Sequence, residues 1–133
     1  MNSEMYGEII LDYYRNPKNF GKLDRPNIVS RDANPLCGDI IEIQLKISKD
    51  KKISDVRFNG NGCAISRASA SMLTELIKDK TLNDIVKLSK KDVLDLLGIE
   101  LSHVRMKCAL LPLKALKLGV YGFLGKTFNE KEM

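Results

Sequence analysis

Between positions 41 and 47 apolar and polar residues alternate strictly. Ile41, Ile43, Leu45 and Ile47 fall on one face, and Glu42, Gln44 and Lys46 on the other, the period of a half-buried strand. "SKDKK" turns the chain and "ISDVRFNG" returns it, with Val56 and Phe58 directed to the same core. This predicts an antiparallel hairpin with one face wet and the other covered by helices. From Ala64 the period changes to that of a helix, and Ile65, Ala68, Met72, Leu76 and Ile77 line one side of it.

The remaining elements are read from stripes and caps. Ile9, Ile10, Tyr13 and Tyr14 form the apolar stripe of a first helix capped by Ser3. It should stop at Asn16, because Pro17 disfavours a helical conformation in the residue before it. "NPKNFGKLDRPN" reads as irregular, and Ile28 and Val29 allow a short strand after it. Thr81 with Asp84, and Ser89 with Asp92, have the spacing of capping boxes for two short helices, the second ending at Gly98. A last helix is predicted after Cys108, with Pro112 in its first turn and Gly119 at its end. The chain is expected to form one domain over 1–133, its last residues, about 126–133, fraying. At 133 residues it is long enough to bury a core without staples.

Composition narrows the class. Apolar residues make up 44% and charged residues 29%, a balance typical of folded, water-soluble chains. The longest uncharged stretch, around Ile65, is rich in serine and alanine and broken by Arg67, so no membrane partner is expected. The first residues are polar and followed by Glu8, with no secretory signal, and a cytoplasmic location is expected. The net charge of +5 comes from lysines spread among acids, and aromatics are only 6% with no Trp. Nucleic-acid binders cluster their bases or interleave them with stacking rings, so no nucleic acid is expected.

Three cysteines are too few, and odd in number, for a disulfide framework. Cys37 and Asp39 belong to "NPLCGD", a glycine turn where neither side chain is expected to serve a core. Cys63 lies between "GNG" and a helix, and Cys108 just before the predicted last helix. Cysteines ahead of helix N-termini are stabilised as thiolates by free amides and the helix dipole. Three thiolates and a carboxylate make a ligand set for tetrahedral zinc or an iron–sulfur cluster. From the residues alone, a metal or cluster site, separate structural cysteines and a redox thiol all remain open. His103, the one histidine, is left out of the ligand set. Lys107, beside Cys108, cannot ligate a cation and is assigned electrostatic support of a neighbouring thiolate or persulfide. The small residues Ala64, Ser66, Ala68, Ser69, Ala70 and Ser71 either let the helix lie close to the sheet or leave room at its N-terminus.

The stretches "DYYRNPKNFG", "NPLCGD", "FNGNGCAISRASASMLTELIKDK" and "VRMKCALLPLKAL" cover nearly the whole chain. Together they resemble the iron–sulfur cluster assembly scaffold family, comprising IscU, SufU and the N-terminal domain of NifU. The resemblance implies a SufE/IscU-like α/β (α+β) fold, a small antiparallel sheet of about three strands packed against several helices. It implies that Cys37, Asp39, Cys63 and Cys108 surround one 2Fe–2S or Zn2+ site, with Asp39 the labile ligand. It further implies, as partners, a pyridoxal-phosphate cysteine desulfurase of the IscS/SufS type, iron or electron donors, and apo iron–sulfur acceptor proteins.

Two departures bear on the subtype. Where bacterial IscU proteins carry a histidine before the third cysteine, preceded by a Leu-Pro-Pro-Val-Lys chaperone motif, this chain reads "LSHVRMKC", with Lys107 in place of the histidine and neither proline. SufU proteins carry a basic residue at that position, but also a helical-hairpin insertion between the second and third cysteines that has no room here. The expected function is a non-enzymatic scaffold for 2Fe–2S assembly and transfer. The alternative is a SufU-like zinc-dependent sulfurtransferase. Cys108 is expected to accept sulfur first, with Cys37 the runner-up because SufU-type proteins use the cysteine at that position.

Overall fold

The computed structural model describes every residue except Met1, Asn2 and Cys37. Its elements are α1 (Ser3–Arg15), β1 (Ile28–Asn34), β2 (Asp39–Ile47), β3 (Ile53–Asn61), α2 (Ala64–Ile77), α3 (Leu82–Lys87), α4 (Lys90–Leu97), α5 (His103–Phe123) and a closing 3-10 turn over Glu130–Glu132. The strands form one antiparallel sheet in the order β1-β2-β3. This is the expected α+β architecture, with three strands. Among the described residues no helix is long and apolar enough to cross a membrane.

The alternating run became the central strand, as its pattern requires. Ile41, Ile43 and Leu45 are fully buried, and Val56 and Phe58 join them from β3. Helices α2 and α5 cover this face. β1 extends well past the two residues expected, pairing with β2 from Ile28↔Leu45 to Asn34↔Asp39. Its inward positions include Ser30 and Asn34, which disguise the strand in the sequence; both are buried. Ser30 is tolerated there because Gly119 of α5 presses on it. A Cβ at Gly119 would lie 2.8 Å from both Ile28 Cγ2 and Ser30 Cβ.

The outer face is not simply wet. After α1 ends before Pro17, as expected, the chain crosses that face as a strap. Residues 19–21 pair with the free edge of β3 through Gly21 N to Phe58 O (2.8 Å) and Phe58 N to Asn19 O (2.9 Å). Farther on, Leu23 N donates to the Gln44 side chain (2.8 Å), which is why Gln44, polar and outward, is buried. The strap therefore caps an edge that would otherwise expose unpaired backbone groups.

Helix α2 is buried on two sides rather than one. Ala70, Leu73 and Ile77 face the sheet, while Ala68 and Met72 pack with Ile10, Leu97 and Ala109 in a second cluster. Its small residues are what let it sit between two layers, and its hydroxyls bind neighbours. Ser69 Oγ donates to Ala109 O (2.6 Å), and Ser71 Oγ accepts from Lys18 N (2.6 Å). Both predicted capping boxes form, and Gly98 closes α4 in a left-handed conformation.

The last helix differs most from expectation. α5 begins at His103, capped by Ser102, whose hydroxyl accepts from Arg105 N at 3.3 Å. It runs through both Pro112 and Gly119. Packing overrides both signals: Leu111, Leu113, Ala115, Leu116 and Val120 are buried against the sheet, and the close approach at Gly119 requires that the helix continue past it. Residues 126–133, expected to fray, include a described turn in which Glu130 pairs with Lys114 and Met133 packs on the main core.

Candidate metal centre

β2 opens at Asp39, immediately after Gly38, whose φ of +72° favours glycine. Asp39 shares the inward face of β2 with Ile41 and Ile43 and is 4% exposed. The expectation that it belongs to an exposed turn is therefore corrected: it lies at the end of the core face, where the sheet meets two helices. Across the β1–β2 hairpin Asn34 pairs with it, and the Asn34 side-chain carbonyl accepts from Leu36 N at 3.1 Å, holding the turn.

Cys63 is the N-cap residue of α2, with no side-chain cap bond of its own. Its backbone N–H donates to Asp39 Oδ1 at 3.1 Å. A carboxylate thus sits at a helix N-terminus, where free amides and the dipole favour negative charge. The half-buried Cys63 thiol occupies the same end of the helix, as its sequence position implied.

Cys108 does not. It is the sixth residue of α5 and fully buried, so the helix-terminus argument does not apply to it. The sequence misled here because "SHVRMK" carries no capping-box acid, while Pro112 imitates a first-turn proline. Pro112 has no N–H to offer the carbonyl of Cys108, four residues back.

Three of the four expected ligands come together. The carboxylate of Asp39 and the sulfurs of Cys63 and Cys108 all lie within 4.8 Å of one another, the one such group of three among the described residues. In tetrahedral zinc, Zn–S bonds of about 2.3 Å place sulfurs about 3.8 Å apart, so small side-chain adjustments would close this set on a metal. The donor chemistry, two soft sulfurs and one oxygen, fits zinc or iron. Cys37 lies outside the described residues. Lys107 is exposed and belongs to a cleft on the side of the β1–β2 turn, and His103 is exposed at the start of α5 and outside the group.

One neighbour went unnoticed in the sequence. Ser66 Oγ lies 3.8 Å from Cys63 Sγ and donates to Cys63 O at 3.2 Å. Its position three residues after Cys63, in the first turn of α2, was the available signal. Arg67, the next residue, stacks its guanidinium 5.2 Å from the ring centroids of both Tyr14 and Phe20. This ties α1 and the strap to the start of α2.

The profile of the NifU-like N terminal domain matches residues 5–130. Iron-sulfur cluster assembly scaffold protein IscU 1 of Archaeoglobus fulgidus is 35% identical over 122 residues, covering 92% of this chain and 78% of its own. Zinc-dependent sulfurtransferase SufU of Bacillus subtilis is 37% identical over 133 residues, covering 87% of this chain and 89% of its own. That alignment is longer than the part of this chain it engages, so the Bacillus protein carries residues with no counterpart here. Among solved structures, a protein from Fervidobacterium islandicum AW-1 described as an iron-sulfur cluster assembly scaffold for the SUF system superimposes with a TM-score of 0.75. It is 29% identical and covers 90% of this chain and 99% of its own. With a carboxylate and two thiols converging where sheet, α2 and α5 meet, and with sequence likeness across almost its whole length, this chain belongs to the NifU-like N-terminal domain family.

Proposed function

We propose that this protein is a non-enzymatic scaffold on which a 2Fe–2S cluster is assembled as cargo and passed to apo-proteins. The observation that carries the reading is the convergence of Asp39, Cys63 and Cys108 within 4.8 Å. Cys37 is proposed as the fourth ligand, arriving from the β1–β2 turn that Asp39 closes. A carboxylate among three thiolates is the hardest donor and the weakest holder of iron–sulfur cargo, which suits a site that must release what it builds. The sulfur source is proposed to be a pyridoxal-phosphate cysteine desulfurase, with iron and electron donors completing the supply, in the cytoplasm.

Burial bears on which thiol receives sulfur. Cys108 is closed off, which disfavours it as the first recipient of sulfur. We therefore place first acceptance on Cys37, ahead of Cys108, with Lys107 supplying positive charge beside the site. A second reading, a zinc-dependent sulfurtransferase, is favoured by Lys107 itself, which stands where the sulfurtransferase branch carries a basic residue.

Anaerobic incubation with iron, cysteine and a desulfurase, followed by ultraviolet–visible spectroscopy, metal analysis and mass mapping of persulfide, separates the two. Cluster absorption appearing with iron supports the scaffold. Persulfide forming only when zinc is bound, with strong stimulation of desulfurase turnover and no cluster under any condition, would replace it with the transferase.

A further inference from the structure

A cleft of about 440 Å³ opens between the β1–β2 turn, α5 and the C-terminal turn, a size typical of ligand-binding clefts. On α5 it is lined by Lys107, Leu110, Leu111 and Lys114. These positions are spaced i, i+3, i+4 and i+7 and so share one helix face. The face reads basic–apolar–basic, its two ammonium groups set about two turns, roughly 10 Å, apart along the helix. Leu36, 68% exposed, extends the apolar wall from the opposite side.

The chain itself demonstrates what this surface accepts. Its last residues bring Glu130 onto Lys114, which also meets Asp32 at 3.2 Å, and set Met133 against the apolar wall. One carboxylate and one flexible apolar side chain of the tail thus wall one end. At the other end Lys107 is exposed and forms no ion pair with any described residue. The tail itself is a three-residue turn, Glu130–Glu132.

We propose that this cleft is a docking groove for an acidic, apolar segment of a partner protein, and that residues 130–133 are its internal competitor in the free chain. An incoming segment would displace Glu130 from Lys114, add a second carboxylate at Lys107 and cover Leu110 and Leu111. Because Lys107 adjoins Cys108 and Leu36 lies in the turn closed by Asp39, the same occupant would touch both walls beside the metal centre. Displacement by mass action also sets the sign of the competition: whatever fraction of chains holds the tail in place lowers apparent affinity by that fraction.

The test uses the whole 133-residue chain, metal-free, and a fluorescein-labelled peptide Glu-Leu-Met-Glu-Leu-Met, read by fluorescence anisotropy. Glu130→Gln combined with Met133→Ala should tighten binding about three- to tenfold, and Lys107→Glu should weaken it about tenfold or more. Amide shifts at Leu110, Leu111 and Lys114 should move on titration. Unchanged affinity in the tail variant, or equal binding of Lys-Leu-Met-Lys-Leu-Met or of a hexathymidylate, would overturn the proposal. So would amide shifts that leave Leu110 and Leu111 still. Neither iron nor sulfur enters this measurement, so its result stands apart from that of cluster assembly.

Discussion

The backbone N–H of Cys63 donates to Oδ1 of Asp39 at 3.1 Å, joining the first residue of β2 to the N-cap of α2. The carboxylate therefore has a structural role as well as a proposed ligand role. It serves the helix end that Cys63, lacking a side-chain cap bond, leaves open. Asp39→Ala should cost about 1–2 kcal/mol of stability, while Asp39→Asn, which keeps an acceptor oxygen, should cost less. Thermal unfolding of both variants checks the order. A preformed cluster on Asp39→Ala should move more slowly to apo-ferredoxin, and equal or faster transfer would remove Asp39 from the labile position.

Ser66 touches the Cys63 sulfur without being a ligand. Groups that orient a ligand typically change metal affinity 10–100-fold, and a single hydroxyl at 3.8 Å should fall at the low end. Ser66→Ala is expected to weaken zinc binding about tenfold and Cys63→Ser by much more, measured by competition with a chromophoric chelator. Identical affinities for Ser66→Ala and the parent would show that the contact is packing alone.

On the outer sheet face, Glu42 accepts from Asn59 Nδ2 (3.0 Å) and Gln44 Nε2 (2.9 Å). The Asn59 bond is the largest influence; together with Gln44, Arg31 and Lys22 it outweighs burial and holds the carboxyl below its ordinary value of 4.5. A depressed carboxylate adds stability above its ordinary value, and that contribution disappears as pH falls through the folded-state value. The melting temperatures of the parent and Glu42→Gln should therefore differ most near neutrality and converge as pH falls below the ordinary value and through the lowered folded-state one. A gap that stays constant with pH would mean the charge is irrelevant to the strap.

Helix propensity and packing oppose each other at Gly119. Glycine to alanine inside a helix ordinarily gains about 1 kcal/mol. Here the new Cβ would lie 2.8 Å from two atoms of β1, and overpacking of that kind costs about 1–3 kcal/mol. Gly119→Ala should therefore lower stability, as read by urea unfolding. A stabilised variant would show that α5 can back away from β1 freely.

Lys107→Glu reverses the charge beside Cys108 at an exposed position, so the fold should be unaffected. Persulfide uptake from a desulfurase should slow, because the site loses a positive charge that favours the attacking thiolate, proposed to be Cys37. Uptake at the parental rate, by mass spectrometry over time, would confine Lys107 to the cleft.

Local chemistry was enough, in the sequence alone, for the strands from Ile41 to Phe58, the caps at Thr81 and Ser89, and the stop before Pro17. Each depends on a period or on a side chain meeting its own backbone a few residues away. Cys63 at the head of α2 was legible for the same reason. Tertiary structure decided the rest, because contacts distant in the chain outweighed local signals. Burial of five apolar residues carried α5 through Pro112 and Gly119, and drew Cys108 from a supposed helix end into the interior. Inward serine and asparagine hid β1 until α5 and Asp39 stood opposite them. Asp39 looked like a turn residue from its glycine neighbour, yet it is buried because two helices and the sheet close over it. Proximity of Asp39, Cys63 and Cys108, separated by 24 and 45 positions, is a property of that closure, which no spacing along the chain encodes.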